Sequence, residues 1–242
     1  MNVHLVSFGA PFNIFSKAHF RFVENAKSFG EFSSINVFSE RDIFEFSEEI
    51  EPYKNFLSST RGYGYWMWKY FLLSGIMKNI PQDDLVCYAD IGCTFNDQGL
   101  INFEGYKTIT FDRGSLCFDL GHLERAYTKM DTYLRIFPDN MEHLNTGQRC
   151  ATTFFLKNNK VNRDIIEEIK EISVEDNHHY ITDAPSSESN HPEFKEHRHD
   201  QSVFSLISKK YNFYCIPDQT YWDPDWNNTG RIYPIWATRN KF

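Results

Sequence analysis

Leu85, Val86, Cys87 and Tyr88 form an almost unbroken apolar run that ends, one residue on, at a single acid, Asp90, with Gly92 just beyond. A strand with one face in water alternates polar and apolar residues, whereas a run without alternation suits a strand covered on both faces. Such a strand needs a layer of structure on each side of its sheet. The chain before it offers the pieces. Val3–Phe8 is apolar and closes on Gly9-Ala10-Pro11, as a strand ending in a turn does. Phe15, Ala18, Phe22, Ala26 and Phe29 recur at near-helical spacing, and Gly30 follows as a stop. Residues 34–39 read as a second strand, 42–57 as a helix broken by Pro52, and 65–80 as a buried helix ending at Pro81. Strands alternating with helices predict an α/β layer architecture around a largely parallel sheet. Beyond it, 107–111, 151–156 and 213–216 read as strands, and 122–137, 162–172 and 201–211 as helices.

The chain has 242 residues, enough to bury a substantial core without disulfides or a structural metal. Twenty-five Lys and Arg against 33 Asp and Glu leave a net charge of −8, which argues against broad nucleic-acid binding, since phosphate contact needs a surplus of cations. It does not argue against one small phosphorylated ligand. Five cysteines without a C-x-x-C suggest neither a disulfide scaffold nor a zinc ribbon, and reduced thiols in a cytoplasmic protein are the simpler reading. The N-terminus reads as a first strand, not a signal peptide, and the most apolar stretch, 65–77, is too short to span a bilayer.

Three places offer chemistry. The first is Tyr88-Ala-Asp-Ile-Gly-Cys93, where an apolar strand runs into Asp90. In open α/β sheets ligands bind outside the carboxyl ends of strands, so Asp90 is placed to hold a metal ion or a sugar hydroxyl, and Gly92 lets backbone approach closely. Strand-Asp-x-Gly is equally common turn chemistry. The second is Arg61-Gly-Tyr-Gly-Tyr-Trp-Met-Trp-Lys69, with glycines leading into a helix N-terminus, two cations and four aromatic rings. That combination suits a diphosphate, although rings such as Trp66 also fill cores. The third is Glu196-His-Arg-His-Asp-Gln-Ser202, which feeds polar residues into an apolar helix. His197, His199 and Asp200 are suitable ligands for a divalent ion, or else form a helix cap with solvated histidines. The polar segment 183–192 ahead of it reads as a loop, either solvated or a lid.

These stretches, together with Gly147-Gln148, resemble in their order a group of small bacterial and viral GT-A-type glycosyltransferases, over about residues 1–215. The resemblance implies a GT-A-like (Rossmann-like) α/β domain spanning 1–242, with a mixed, mostly parallel central sheet flanked by helices. Residues 1–110 would form the nucleotide-sugar-binding half and 111–242 the acceptor and catalytic half. The implied reaction is transfer of a sugar, expected to be a hexose, from a nucleotide-diphospho sugar to a hydroxyl of a glycan, lipid-linked glycan or protein. Asp90 matches the first Asp of the family's Asp-x-Asp motif, and Gly92 stands where the second would be. The resemblance implies Mn²⁺ or Mg²⁺ on Asp90, with His197 and His199 as further ligands; with Gly92 in place, Asp90 is either the lone acid there or part of a metal-independent enzyme. Asp200 and Gln201 resemble the late Asp-Gln of retaining members and are the expected catalytic pair. Phe8, Arg61, Gly64, Trp68, Lys69, Gly92 and Gln148 form the expected substrate-binding set.

No general base for an inverting reaction is identifiable, which leans the expectation to retention. Two other classes compete. One is a metal-dependent hydrolase with Asp90, His197, His199 and Asp200 around one ion. The other is a non-catalytic glycan-binding protein using the Trp-rich stretches 63–68 and 221–226. The aromatic content of 17% feeds both a core and such stacking surfaces, so Trp66, Trp68, Trp222 and Trp226 should not all be buried away from the pocket.

Overall fold

The computed structural model describes residues 1–220 and 228–240. The strands are β1 (Val3–Phe8), β2 (Ser34–Phe38), β3 (Leu85–Ala89), β4 (Thr94–Phe95), β5 (Ser115–Leu123), β6 (Gly147–Arg149), β7 (Thr153–Lys157), β8 (Cys215–Pro217) and β9 (Ile235–Trp236). The helices are α1 (Phe12–Phe29), α2 (Ile43–Phe46), α3 (Lys54–Ser59), α4 (Gly62–Tyr65), α5 (Trp68–Asn79), α6 (Leu100–Arg113), α7 (Glu124–Tyr127), α8 (Met130–Ile136), α9 (Lys160–His178) and α10 (His199–Lys210). Seven strands form the central sheet in the order β2-β1-β3-β7-β5-β6, with β8 also paired to β5. Strands β2, β1 and β3 are parallel, as are β5 and β8, while β7 and β6 run antiparallel to their neighbours. The sheet is therefore mixed, with most strands pointing one way. A separate ribbon pairs β4 with β9.

The apolar run in β3 is covered on both faces. Val86 and Tyr88 join Val6, Phe154 and Leu156 in a core shared with α5, α9 and α10. Leu85 and Cys87 join Val3, Leu5 and Phe155 in a second core with α1 and α6. Alternation along each strand sends successive side chains to opposite cores, so both layers are apolar. Helix α1 turns Ala18, Phe22, Ala26 and Phe29 inward, and Gly30, at φ +78°, stops it.

The sequence reading needs correction in three stretches. Residues 107–111 are helical, not a strand: they continue α6, whose Phe103, Tyr106 and Thr110 face the second core at helical spacing before Gly114 ends it at φ +85°. The strand lies just beyond as β5, and it runs to Leu123, inside the stretch expected to be helical from 122. The stretch 42–57 is three short pieces, with Pro52 inside a 3₁₀ turn. All five cysteines are free thiols. No helix of the described residues is long and apolar enough to cross a membrane.

Candidate active site

The carboxyl end of β3 meets the first turns of two helices. Asp90 follows Ala89, its N–H donates to the Thr152 carbonyl at 2.8 Å, and the Tyr88 hydroxyl donates to its Oδ1 at 2.6 Å. Lys69, in the first turn of α5, is only 2% exposed. Its Nζ donates to Asp200 Oδ2 at 2.6 Å and to the Ala151 carbonyl at 2.8 Å, and lies 4.6 Å from the centre of the Tyr88 ring. Asp200 sits in the first turn of α10, and its carbonyl accepts the Tyr70 hydroxyl at 3.2 Å. Asp200 thus lies at the positive end of the α10 dipole. Burial pushes the Asp200 carboxyl up to about 6, with Lys69 opposing the rise and Asp90 adding to it. Burial also raises Asp90, against the pull of Lys69, Tyr88, Thr152 and Arg239. Lys69 thus pairs with Asp200 and pulls on the Asp90 carboxyl electrostatically, while burial raises both acids.

The glycine-aromatic stretch takes a conformation that its spacing did not reveal. Gly62, Tyr63, Gly64, Tyr65 and Trp66 all have positive φ, between 50° and 84°. They form one left-handed turn, closed by Tyr65 N–H on the Arg61 carbonyl at 2.8 Å and Met67 N–H on Gly64 at 3.0 Å. Left-handed geometry costs roughly 1–2 kcal/mol per non-glycine residue, so the surrounding packing must hold it. A β-carbon on Gly62 would lie 2.7 Å from the Trp66 ring, and one on Gly64 would lie 2.4 Å from Leu57 Cδ2. Regular helix begins only at Trp68. The turn leaves Arg61 exposed beside Trp66, 5.8 Å from its ring, and stacks Trp66 on His199 at 5.7 Å.

The expected site residues fall into two groups. Asp90, Lys69, Asp200 and Gln201 come together around Ala151, whose N–H donates to Gln201 Oε1 at 3.4 Å. Lys69 is enclosed behind Asp200 and holds that acid. Gln148 is wholly buried: its Nε2 lies within hydrogen-bond reach of Ser202 and Thr128, and its Oε1 accepts from Gln201 Nε2 at 2.7 Å. Phe8 and Trp68 are buried ring against ring at 4.1 Å, and Trp68 Nε1 donates to the Gly62 carbonyl at 3.0 Å. Trp66 stays partly exposed, while Trp222 and Trp226 lie outside the described residues. The 183–198 segment is bound to α8 and its neighbours: Lys129 Nζ donates to the His179 and Ala184 carbonyls, Asp131 accepts the Ser187 and Glu188 N–H groups, and Asn190 caps the Met130 N–H.

The implied divalent ion does not fit the side chains found. His197 is buried with both ring nitrogens used, Nε2 donating to the Tyr180 carbonyl at 2.9 Å and Nδ1 accepting the Lys129 N–H at 3.3 Å. Burial holds its pKa well below the usual histidine value. His199 donates from Nδ1 to the Ile181 carbonyl at 2.9 Å. Its Nε2 is buried without a hydrogen-bond partner, 3.7 Å from Asp183. Among the described residues no three His, Cys, Asp or Glu side chains converge as a metal site requires. The hydrolase reading, which needs four such groups on one ion, lacks that centre.

Several residues were missed. Tyr88 reads as core, yet two positions before Asp90 on a strand it shares that acid's face, which was a usable signal. Arg21 has no such signal: from α1 its guanidinium donates to the carbonyls of Cys93 at 2.9 Å, Ile91 at 2.7 Å and Asn240 at 3.1 Å, fixing the loop after Asp90. A separate cleft of about 600 Å³ beside β5, β6 and β8, lined by Asp119, His143, Arg149, Lys209 and Cys215 among others, shares none of the acid pair's residues.

No family model matches the chain, and no curated protein matches it. Solved structures do. A glycosyltransferase involved in glycosylation of the major capsid of PBCV-1 superposes with a TM-score of 0.54 at 10% identity, over 98% of this chain and 93% of that one. Mouse xyloside xylosyltransferase 1 gives 0.48 at 12% identity, over 98% and 97%. Galactosyltransferase LgtC, solved with donor and acceptor sugar analogues, gives 0.48 at 13% identity, over 98% and 86%. With its mixed sheet between helical layers and its superposition on the capsid glycosyltransferase, the chain has the GT-A-type glycosyltransferase fold.

Proposed function

We propose that the protein transfers a sugar, with a hexose as the expected group, from a nucleotide-diphospho sugar to a hydroxyl of a glycan or glycoconjugate. One observation carries the reading: Asp200 is brought, through buried Lys69, to the carboxyl end of β3 beside Asp90, where ligands of open α/β sheets bind. In the reaction the bond from the anomeric carbon to the diphosphate oxygen breaks, and that oxygen keeps the electron pair. The acceptor oxygen forms the new bond, and its proton passes to the released diphosphate. Asp200, kept largely ionised above pH 6, stabilises the oxocarbenium-like charge at the anomeric carbon. Exposed Arg61 is the cation expected to meet the diphosphate. A front-face reaction of this kind needs no separate base and retains configuration.

The test is release of nucleoside diphosphate from a panel of nucleotide sugars, with wild type and Asp200→Asn compared. Turnover of at least one donor, lowered about 100- to 1,000-fold in the variant, is the expected result. No binding or turnover of any donor, alongside phosphoesterase activity, would reject the reading. Glycan binding that survives both Asp90→Ala and Asp200→Ala would favour a non-catalytic lectin.

A further inference from the structure

Strand β8 brings two thiols together. It pairs with β5 in parallel, and the register sets Cys117 opposite Cys215 and Asp119 opposite Pro217. Registered partners on neighbouring strands send their side chains to the same face, with backbones about 4.8 Å apart. Both cysteines accordingly pack on the first core. The Cys117 N–H donates to the Tyr214 carbonyl at 2.9 Å, and the Cys117 thiol lies 3.5 Å from the same oxygen, on the peptide group that begins Cys215. Disulfides span Cα separations of about 4.4–6.8 Å, so partners in register can be bridged without moving their strands apart.

The two thiols are not equivalent. Cys117 is wholly buried, whereas Cys215 is partly exposed and lines the cleft of about 600 Å³ together with Asp119, Arg149 and Lys209. Cys87, Cys93 and Cys150 are buried, and burial pushes all three thiols up, which makes them poor nucleophiles. Cys215 moves the other way. The adjoining Cys117 thiol, with Arg149 and Lys209, holds it below the usual thiol range against burial and the charge of Asp119. Cys117, in contact with it, is driven up and keeps its proton.

We propose that Cys215 is a peroxide-reactive thiol that opens on this cleft and forms a reversible disulfide with Cys117. In the first step the Cys215 thiolate attacks one oxygen of hydrogen peroxide. The S–O bond forms, the O–O bond breaks, and the hydroxide that leaves takes a proton from solvent. The sulfur is oxidised to a sulfenic acid and the peroxide is reduced to water. In the second step the Cys117 sulfur attacks the sulfenic sulfur. The S–S bond forms, the S–O bond breaks, and the departing hydroxide takes the Cys117 proton and leaves as water. A dithiol reductant reverses the bridge by thiol–disulfide exchange. None of Asp90, Lys69 and Asp200 takes part, so the proposal is independent of the transferase reading.

The experiment treats the full, reduced chain with limiting iodoacetamide and, separately, with a small excess of hydrogen peroxide, each followed by peptide mass mapping without reduction. Cys215 should be alkylated at least about 10-fold faster than Cys87, Cys93, Cys117 or Cys150. Peroxide should yield the two peptides joined at Cys117 and Cys215, and dithiothreitol should release them. Cys117→Ser should stop at a sulfenic acid on Cys215 that dimedone captures. Cys215→Ser, shown to be folded by a thermal melt, should form no bridge at Cys117. Wild type in which peroxide leaves Cys117 and Cys215 unbridged, or in which another cysteine reacts as fast as Cys215, overturns the proposal.

Discussion

The ammonium of Lys69 separates this site from an ordinary buried acid. Without it, burial would drive Asp200 still further up, and the carboxylate would be scarce at pH 7. The carboxylate is the form that stabilises positive charge, so the rate should rise with pH through about 6 and level off above it. Lys69→Met removes the attraction that lowers the Asp200 pKa, and should move this limb to higher pH; a pH–rate profile reads the shift, which a purely structural role would not produce. The variant should also lose stability, most at high pH, where the unpaired Asp200 must ionise without its cation. At this scale the sequence named Asp90, Lys69 and Asp200 from strand-end and helix-start logic. It did not show that Lys69 meets Asp200, because the contact joins residues far apart in the chain and depends on how α5 and α10 pack. His197 misled for a similar reason: a His-x-His beside an acid looks like a ligand set until backbone carbonyls and N–H groups claim the nitrogens.

Among the elements, the left-handed turn at 62–66 is the least ordinary. Gly64→Ala there should cost about 2 kcal/mol or more, through positive φ and contact with Leu57. Gly105→Ala, in the middle of α6 with nothing near its β-carbon, should instead stabilise by about 0.5–1 kcal/mol. Opposite signs in denaturant melts would show that backbone geometry, not glycine content, is at work. Helix α10 is held from below by Glu124, which is 0% exposed and accepts Lys209 Nζ at 2.5 Å and the Ser205 hydroxyl. Glu124→Ala strands that lysine and should cost about 3–5 kcal/mol in urea unfolding, while replacing both partners with apolar residues of similar size should recover much of the loss. Element identity was legible where one periodicity ran unbroken, as in β1, α1 and β3. It failed at 107–111, where β-branched residues continue a helix whose inward face starts several residues earlier. It failed again at 62–66, because two glycines announce a bend but not its hand.

For the whole molecule, the alternation of strands and helices before Asp90 was enough to foretell a layered α/β fold. The antiparallel insertion of β7 and the return of β9 to β4 were not legible, because they join segments whose local sequence carries no sign of the partner. Those two connections build the site: the chain entering β7 supplies Ala151 and Thr152 at the acid pair, and the chain after β9 occupies the space against Gly92. The account stands or falls on where the donor binds. A crystal structure of the protein with a nucleotide sugar it turns over tests this most directly. The account predicts the diphosphate at the carboxyl end of β3, with the anomeric carbon against Asp200. A donor bound instead in the cleft lined by Asp119, Arg149 and Lys209, with the acid pair untouched, would contradict it.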